Sequence, residues 1–180
     1  MTAMTRAWTI APEPADSPLA LDLWRAYYTE VSDRWFQLHE GRDTPPDELE
    51  REVVAANDHA TLAPPSGALL LGRYAGEPAG MAGVRLFEGE GGGGGGAAPG
   101  PLAAELKRLF VRKEARGTGG GPVLLAAAED AARALGARVM LLDTRSDLAE
   151  AWSLYERSGY ERSARHNDDV YAERWYRKAL

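Results

Sequence analysis

The residues best suited to bind an anion lie in the segment 111–125, which reads Val-Arg-Lys-Glu-Ala-Arg-Gly-Thr-Gly-Gly-Gly-Pro-Val-Leu-Leu. An apolar strand ends there, glycines let the backbone approach a ligand closely, and a helix begins. The N–H groups and dipole of a helix start attract phosphate, and Arg112, Lys113 and Arg116 add positive charge. The pattern predicts a pyrophosphate site, although such a turn can also serve backbone geometry alone.

Several other chemistries are excluded by residues that this chain lacks. No lysine follows the last glycine, so the turn is not a Walker loop, and no third glycine stands at Rossmann spacing. No Gly-x-Ser-x-Gly elbow occurs, which argues against a serine acyl-enzyme. The sequence has no cysteine, which excludes thiolate catalysis and disulfides. Its histidines, His39, His59 and His166, are scattered, so we expect no metal site.

Two motifs in the C-terminal half together resemble the GNAT family of N-acetyltransferases. Residues 116–121, Arg-Gly-Thr-Gly-Gly-Gly, match the family's acetyl-CoA motif Arg/Gln-x-x-Gly-x-Gly/Ala. Residues 151–160, Ala-Trp-Ser-Leu-Tyr-Glu-Arg-Ser-Gly-Tyr, are similar to its second motif, Ala-x-x-Leu-Tyr-Glu-Lys-x-Gly-Phe. The resemblance covers roughly residues 102–160, while the first hundred residues match only in the order of elements.

The resemblance implies a coenzyme A site. The family's fourth and fifth strands splay apart, and the pantetheine arm lies between them. The fourth-strand backbone that would pair with this arm belongs to Leu109, Phe110 and Val111, and the turn that would hold the pyrophosphate comprises Arg116, Gly117, Thr118, Gly119, Gly120 and Gly121. Pro122, which has no N–H, and Leu148, where many relatives have asparagine, depart from the family pattern.

Two catalytic residues follow from the same resemblance. Tyr155 corresponds to the family tyrosine that protonates the departing thiolate, and its ordinary pKa of about 10 suits that role. Glu105, on the fourth strand, stands where several members carry a glutamate that acts as general base; it could instead be an ion-pair partner of Lys107 or Arg108. Asp143, at the end of the fifth strand, is a weaker candidate for the base.

The acceptor pocket is expected to come from the first helix, the loop after it and the C-terminal strands. Tyr28, Glu30, Arg34 and Trp35 are the candidate acceptor-binding residues there, because they combine aromatic walls with charges that orient a substrate. Arg34 is also suited to hold a carboxylate, which would point to an amino-acid acceptor.

The elements that must position these residues follow the order β-α-α-β-β-β-α-β-α-β-β. This pattern predicts a single α/β domain over residues 1–180, with a mixed, mostly antiparallel central sheet flanked by helices and one parallel crossover around a helix at 122–135. The first helix is expected over 17–30, followed by a loop over 31–46. The tract 89–101 is nearly all Gly, Ala and Pro, which predicts a flexible hairpin loop.

Composition and charge narrow the class of protein. With 44% apolar and 27% charged residues, the chain has the composition of a globular domain. We expect neither a membrane span nor a signal peptide, and hence a cytoplasmic protein. The net charge of −6 argues against a nucleic-acid partner. Residues 1–100 carry 15 acids and 7 bases, a net −8, and this favours a cationic acceptor.

The function that the resemblance implies is direct transfer of acetyl from acetyl-CoA to a primary amine of a small molecule, and the charge distribution favours a cationic one. Two alternatives stay open: a regulatory module that binds acyl-CoA without turnover, and an N-acetyltransferase of proteins or peptides, which would need an open groove. The sequence is compatible with a monomer or a homodimer.

Overall fold

The computed structural model describes residues 7–87 and 102–180, and its strands form one seven-stranded sheet. The predicted glycine-rich loop at 89–101 lies outside the described residues. The strand order is β1-β2-β3-β4-β5-β7-β6. The strands are β1 (Trp8–Pro12), β2 (Gly67–Tyr74), β3 (Glu77–Leu86), β4 (Ala103–Val111), β5 (Val139–Thr144), β6 (Glu161–Arg162) and β7 (Arg174–Ala179).

The sheet is antiparallel except at one place. β4 and β5 run parallel, so the chain must cross over between them, and α3 (Gly120–Ala134) makes this crossover. The other helices are α1 (Pro18–Glu40), α2 (Pro46–Ala55) and α4 (Ala149–Arg157). The predicted element order and the mixed, mostly antiparallel sheet are therefore confirmed. Among the described helices, none is both long and apolar enough to cross a membrane.

The first helix is longer than predicted. The Ser17 hydroxyl accepts a hydrogen bond from the Ala20 amide and caps α1 at its start. No glycine or proline follows until Gly41, which ends the helix in a left-handed conformation at φ +69°. The expected loop over 31–46 is therefore wrong for residues 31–40. The apolar periodicity of residues 31–40 is weak because their side chains face a cavity and solvent rather than the core.

Apolar side chains cover both faces of the sheet. On one face, α3 and α4 bury Leu124, Leu125 and Tyr155 against strand residues such as Met140. On the other face, α1 and α2 bury Leu23, Trp24 and Val53 against Leu69, Leu71 and Met81. The sheet is thus the middle of three layers, which fixes the strands that carry the predicted site residues.

The sheet opens between β4 and β5. Their ladder contains three pairs, from Ala103↔Val139 to Glu105↔Leu141, and goes no further. Next to this opening β4 contains a bulge: Met81 pairs with Phe110 and Gly83 with Lys107, so that two residues face one on β3. The predicted splay of the fourth and fifth strands is confirmed. We call the opening between residues 106–111 of β4 and 142–144 of β5 the seam.

Candidate active site

The glycine turn lies at the N-terminus of α3. Gly119 is the N-cap at φ +89°, and no side chain caps the helix. Gly117 is also left-handed, at φ +76°. A Cβ atom built on either glycine would meet nothing within 4 Å, so the space beside the turn is open to a ligand. Backbone N–H groups at an uncapped helix start can hold phosphate oxygens there.

A tryptophan that sequence reasoning missed supports this turn. The Trp8 indole Nε1 donates to the Thr118 hydroxyl at 2.9 Å, and that hydroxyl donates to the Ala115 carbonyl at 2.6 Å. The Trp8 ring also packs on Gly120, where a Cβ would come within 2.2 Å of it. Trp8 therefore holds the turn in place through its contacts with Thr118 and Gly120. No local signal could link Trp8 to residues 110 positions away.

Arg116 connects the turn to α1. Its Nε donates to the Val111 carbonyl at 2.9 Å, and its Nη2 contacts both carboxylate oxygens of Glu30 at 2.8 Å. Four residues before Arg116, Arg112 forms an ion pair with Asp22, which is also on α1. The guanidinium of Arg116 thus fixes the loop to α1.

A cavity of about 610 Å³ extends from the seam to the inner side of α1 and α2. Leu109 and Tyr155 line its inner end. Aromatic side chains line much of the rest: Trp24, Tyr27, Tyr28, Trp35, Phe36 and Tyr171. Its volume falls in the range of small-molecule sites.

Tyr155 lies on the inner side of α4 and is 6% exposed. Burial raises its pKa well above the ordinary value, and the charges of Tyr27 and Asp143 act in the same direction. In the described part of the chain, its hydroxyl makes no hydrogen bond, although it lines the cavity. The raised pKa makes Tyr155 a weaker acid than the ordinary phenol assumed from the sequence, but it keeps the hydroxyl protonated. Because its donor is unused and lies next to the seam, it can still hydrogen-bond and protonate a basic leaving group there.

Glu105 lies behind the cavity rather than in it. Its side chain is only 2% exposed, and it does not line the cavity. Arg85 donates to its Oε2 at 2.8 and 3.0 Å, and its Oε1 receives Lys107 at 3.1 Å and Asn167 at 2.9 Å. Burial by itself would raise the pKa of Glu105, but His166, Lys107, Asn167 and Arg85 outweigh it and hold the pKa far below its usual range.

Asp143 is the carboxylate of this group that faces the cavity. It is 13% exposed, its Oδ1 accepts from Asn167 at 2.7 Å, and Lys107 lies 3.5 Å away. The fold also brings His166 close, so that Glu105, Asp143 and His166 present potential metal-ligating atoms within 4.8 Å of one another. Sequence spacing gave no sign of this grouping. The Lys107 ammonium already contacts the two carboxylates.

The four predicted acceptor-binding residues divide into two pairs. Tyr28 and Trp35 line the cavity, whereas Glu30 and Arg34 do not. Glu30 holds Arg116, as described above. Arg34 forms ion pairs with Asp147 and Glu150 and contacts the Asp147 carbonyl, so it fastens α1 to the start of α4. Any role of Glu30 and Arg34 toward an acceptor stays a prediction.

The profile of the acetyltransferase (GNAT) family matches residues 21–160. The chain belongs to the GNAT family. The match includes both motifs and begins within α1, which the sequence resemblance did not cover. Among curated proteins, no sequence match is found.

Solved structures agree with this GNAT fold. A GNAT-family acetyltransferase from Staphylococcus aureus Mu50 is 16% identical, with a TM-score of 0.64, over 97% of this chain and 99% of its own. The PaiA N-acetyltransferase of Thermoplasma acidophilum, solved in complex with coenzyme A, is 14% identical, with a TM-score of 0.64 over 97% and 99%. A ribosomal-protein-alanine N-acetyltransferase from Brucella melitensis is 18% identical, with a TM-score of 0.60 over 96% and 99%. These likenesses show the fold.

Proposed function

We propose that this GNAT protein transfers acetyl from acetyl-CoA directly to the primary amine of a small molecule. The observation that carries the proposal is the position of the seam. The cavity beside it is lined by Leu109, Tyr155 and Asp143. From Leu109, β4 continues to Val111, whose carbonyl accepts a hydrogen bond from Arg116 at the start of the uncapped glycine turn. The coenzyme A bound to the similar PaiA structure supports an acyl-CoA donor.

The donor would occupy the seam from the turn inward. Backbone N–H groups of residues 116–121 would hold the pyrophosphate, with Arg116 as the anchor that keeps this loop on α1. The pantetheine arm would then lie beside the backbone of Leu109, Phe110 and Val111, which does not pair with β5. The bulge in β4 offers unpaired backbone at this point, which would polarise the thioester carbonyl as it gains negative charge.

The acceptor amine would attack that carbonyl as a neutral nucleophile, so a proton must leave it. We assign this proton to the linked carboxylates Asp143 and Glu105. Asp143 faces the cavity and would take the proton directly or through water. Glu105, held as an anion by its cationic neighbours, would keep Asn167, which donates to both carboxylates, in place beside Asp143. Tyr155 would protonate the departing thiolate on the other side of the seam.

The charge of the cavity favours a cationic acceptor. Glu48 and Glu52 stand one turn apart on α2 and line the cavity, and no basic side chain of the described residues pairs with either. The basic residues of the cavity do have acidic partners: Arg42 with Glu40, and Lys107 with Asp143. An ammonium group held against aromatic walls would gain further from the ring faces. Tyr28 and Trp35 would form part of those walls.

A panel of amines, amino acids and aminoglycosides, with release of coenzyme A thiol as the readout, tests this function. Turnover of at least one small amine supports it. Thermal stabilisation by acetyl-CoA without any thiol release would instead indicate a binding module without turnover.

An N-acetyltransferase of proteins is the second candidate, because the similar Brucella structure is of a ribosomal-protein-alanine enzyme. The C-terminal half of α1 forms a wall of the cavity through Val31, Trp35 and Phe36, and such a wall favours a small acceptor over a peptide. Adding peptides with free N-termini to the same panel distinguishes the two.

A further inference from the structure

Arg108 is the buried arginine at the bulge of β4. Its backbone is left-handed at φ +56°, a conformation that costs a residue with a side chain roughly 1–2 kcal/mol. The side chain is 4% exposed, and its guanidinium lies 4.0 Å above the Trp24 ring. A strained, charged and buried residue next to the seam needs an explanation beyond packing.

The guanidinium of Arg108 is only partly engaged. Its Nη2 donates to Asn57 at 3.1 Å and pairs with Asp58. Its Nε is fully buried and has no hydrogen-bond partner, and no acceptor in the described residues reaches its Nη1. A buried donor of a charged group that stays unpaired is costly. Because Arg108 also lines the cavity, an oxygen of a cavity ligand can supply the missing acceptor.

We propose that Arg108 binds a carboxylate of the acceptor, so that the acceptor is an amino acid rather than a simple amine. Both parallel donor pairs of a guanidinium include Nη2, which Asn57 and Asp58 occupy here, so a single charge-assisted hydrogen bond from Nη1 or Nε to one carboxylate oxygen is the contact available. Arg108 directly precedes Leu109, where the thioester would lie, so the carboxylate must stand a few bonds from the reacting amine. An α-amino acid has this spacing. The proposal rests on the function proposed above.

The remaining basic side chains of the cavity do not offer the same binding site. Arg145 donates to both carboxylate oxygens of Asp147 at 2.8 Å. Lys107 contacts the carboxylates of Glu105 and Asp143. Arg34, which the sequence suggested for a carboxylate, lies outside the cavity and already contacts Asp147 and Glu150. Glu48 and Glu52 would face the distal ammonium of a basic amino acid.

Three amines that differ at one group test the proposal: L-lysine, L-lysinamide and cadaverine. The amide replaces the carboxylate by a neutral group, and cadaverine lacks it. We expect kcat/KM for L-lysine to exceed that for the other two by about 10- to 100-fold, the usual effect of a hydrogen-bonded charged group. The acetyl group should be on the α-amine of the product.

The variant Arg108→Gln should bring the ratio of kcat/KM for L-lysine and cadaverine to within about threefold of one. The ratio within one variant does not depend on the fraction of folded protein, so partial unfolding alone cannot change it. Arg42→Gln is the matched control, since it removes a positive charge from the same cavity at a residue paired with Glu40, and it should keep the wild-type ratio.

A wild-type ratio near one, a ratio that survives Arg108→Gln, or acetylation at the ε-amine alone would overturn the proposal. If no amine releases thiol, the proposed function fails separately. In that case calorimetry measures the Kd values of L-lysine and cadaverine for the protein saturated with coenzyme A. The ratio of these two Kd values, in wild type and in Arg108→Gln, then replaces the ratio of kcat/KM as the test of Arg108.

Discussion

Tyr155 can be tested as the proton donor by removing its hydroxyl. Tyr155→Phe keeps the ring that packs on Tyr160 and Tyr176, so the fold and the Kd for acetyl-CoA should hold. Loss of a general acid typically costs 10²-fold or more, and we expect kcat to fall by roughly that factor. Single-turnover thiol release measures it. A variant with wild-type kcat would remove Tyr155 from the mechanism.

The raised pKa of Tyr155 has a further effect on the pH profile. Because burial shifts the pKa above its ordinary value of 10.0, the phenol stays protonated throughout the neutral range. Ionisation of Tyr155 should therefore produce no alkaline decline of kcat below about pH 10.

The buried carboxylate of Glu105 contributes to the stability of the fold. Its pKa is lowered on folding, so its carboxylate contributes stability above the unfolded pKa of about 4.3, and this contribution is lost as the pH falls through that value toward the folded pKa. Glu105→Gln should therefore destabilise the protein at pH 7 by on the order of 2 kcal/mol. The difference from wild type should shrink below about pH 4.3.

Thermal melts of both proteins between pH 3 and 7 measure this difference. Glu77→Gln, at an exposed strand position, is the control and should follow the wild-type curve. A Glu105→Gln curve parallel to wild type over the whole range would mean that folding does not lower the pKa of Glu105.

At the scale of elements, the glycine turn before α3 allows a matched pair of substitutions. Gly119→Val should abolish the rise in Tm that acetyl-CoA causes, because the side chain would enter the open space assigned to pyrophosphate. Gly41, the C-cap of α1, is the control: it too is left-handed, and a Cβ there meets nothing within 4 Å.

Gly41→Val should therefore lower the Tm through similar backbone strain and yet keep the shift with acetyl-CoA. An unchanged shift in Gly119→Val would move the pyrophosphate away from this turn. Loss of the shift in both variants would attribute it to strain.

An element could be predicted when the residues that determine it lie close together in the sequence. The turn, α3 and α4 were predictable because glycines, helix starts and motifs lie within a few residues of one another. The predicted end of α1 at residue 30 was wrong because residues 31–40 face the cavity, where aromatic and charged side chains break the apolar period. The absence of a glycine or proline before Gly41 was the available sign of a longer helix.

The site was predictable where one strand or turn carries it, and not where the chain meets itself over a long distance. Leu109 and Tyr155, which the resemblance to the family singled out, both line the cavity beside the seam, and their roles stay predictions. Three contacts of the site join residues that are far apart in the sequence. They are the hydrogen bond from Trp8 to Thr118, the ion pair of Arg116 with Glu30, and the contact of His166 with Glu105. The engagement of Arg34 by α4 has the same origin.

At the scale of the whole molecule, the charge is uneven. Residues 101–180 carry 12 acids and 14 bases, a net +2, against the net −8 of residues 1–100. An acidic surface attracts a cationic acceptor over a distance that salt reduces to roughly 10 Å at 0.1 M. We expect kcat/KM for a cationic amine, at saturating acetyl-CoA, to fall several-fold between about 0.05 and 0.5 M salt.

An amine that is neutral at the assay pH serves as the control for this salt series, since it should show a much smaller change. Equal responses of the two amines would assign the effect to the protein or the donor rather than to attraction of the acceptor.

The helix α1 contributes to both halves of the site. Near its middle, Tyr27 and Tyr28 form the wall of the cavity, while Asp22 and Glu30 hold Arg112 and Arg116 of the loop beside the glycine turn. A ligand that shifts this helix at one pocket also changes the other. The two substrates should therefore bind with linked free energies, and the factor by which the donor tightens the acceptor must equal the factor by which the acceptor tightens the donor.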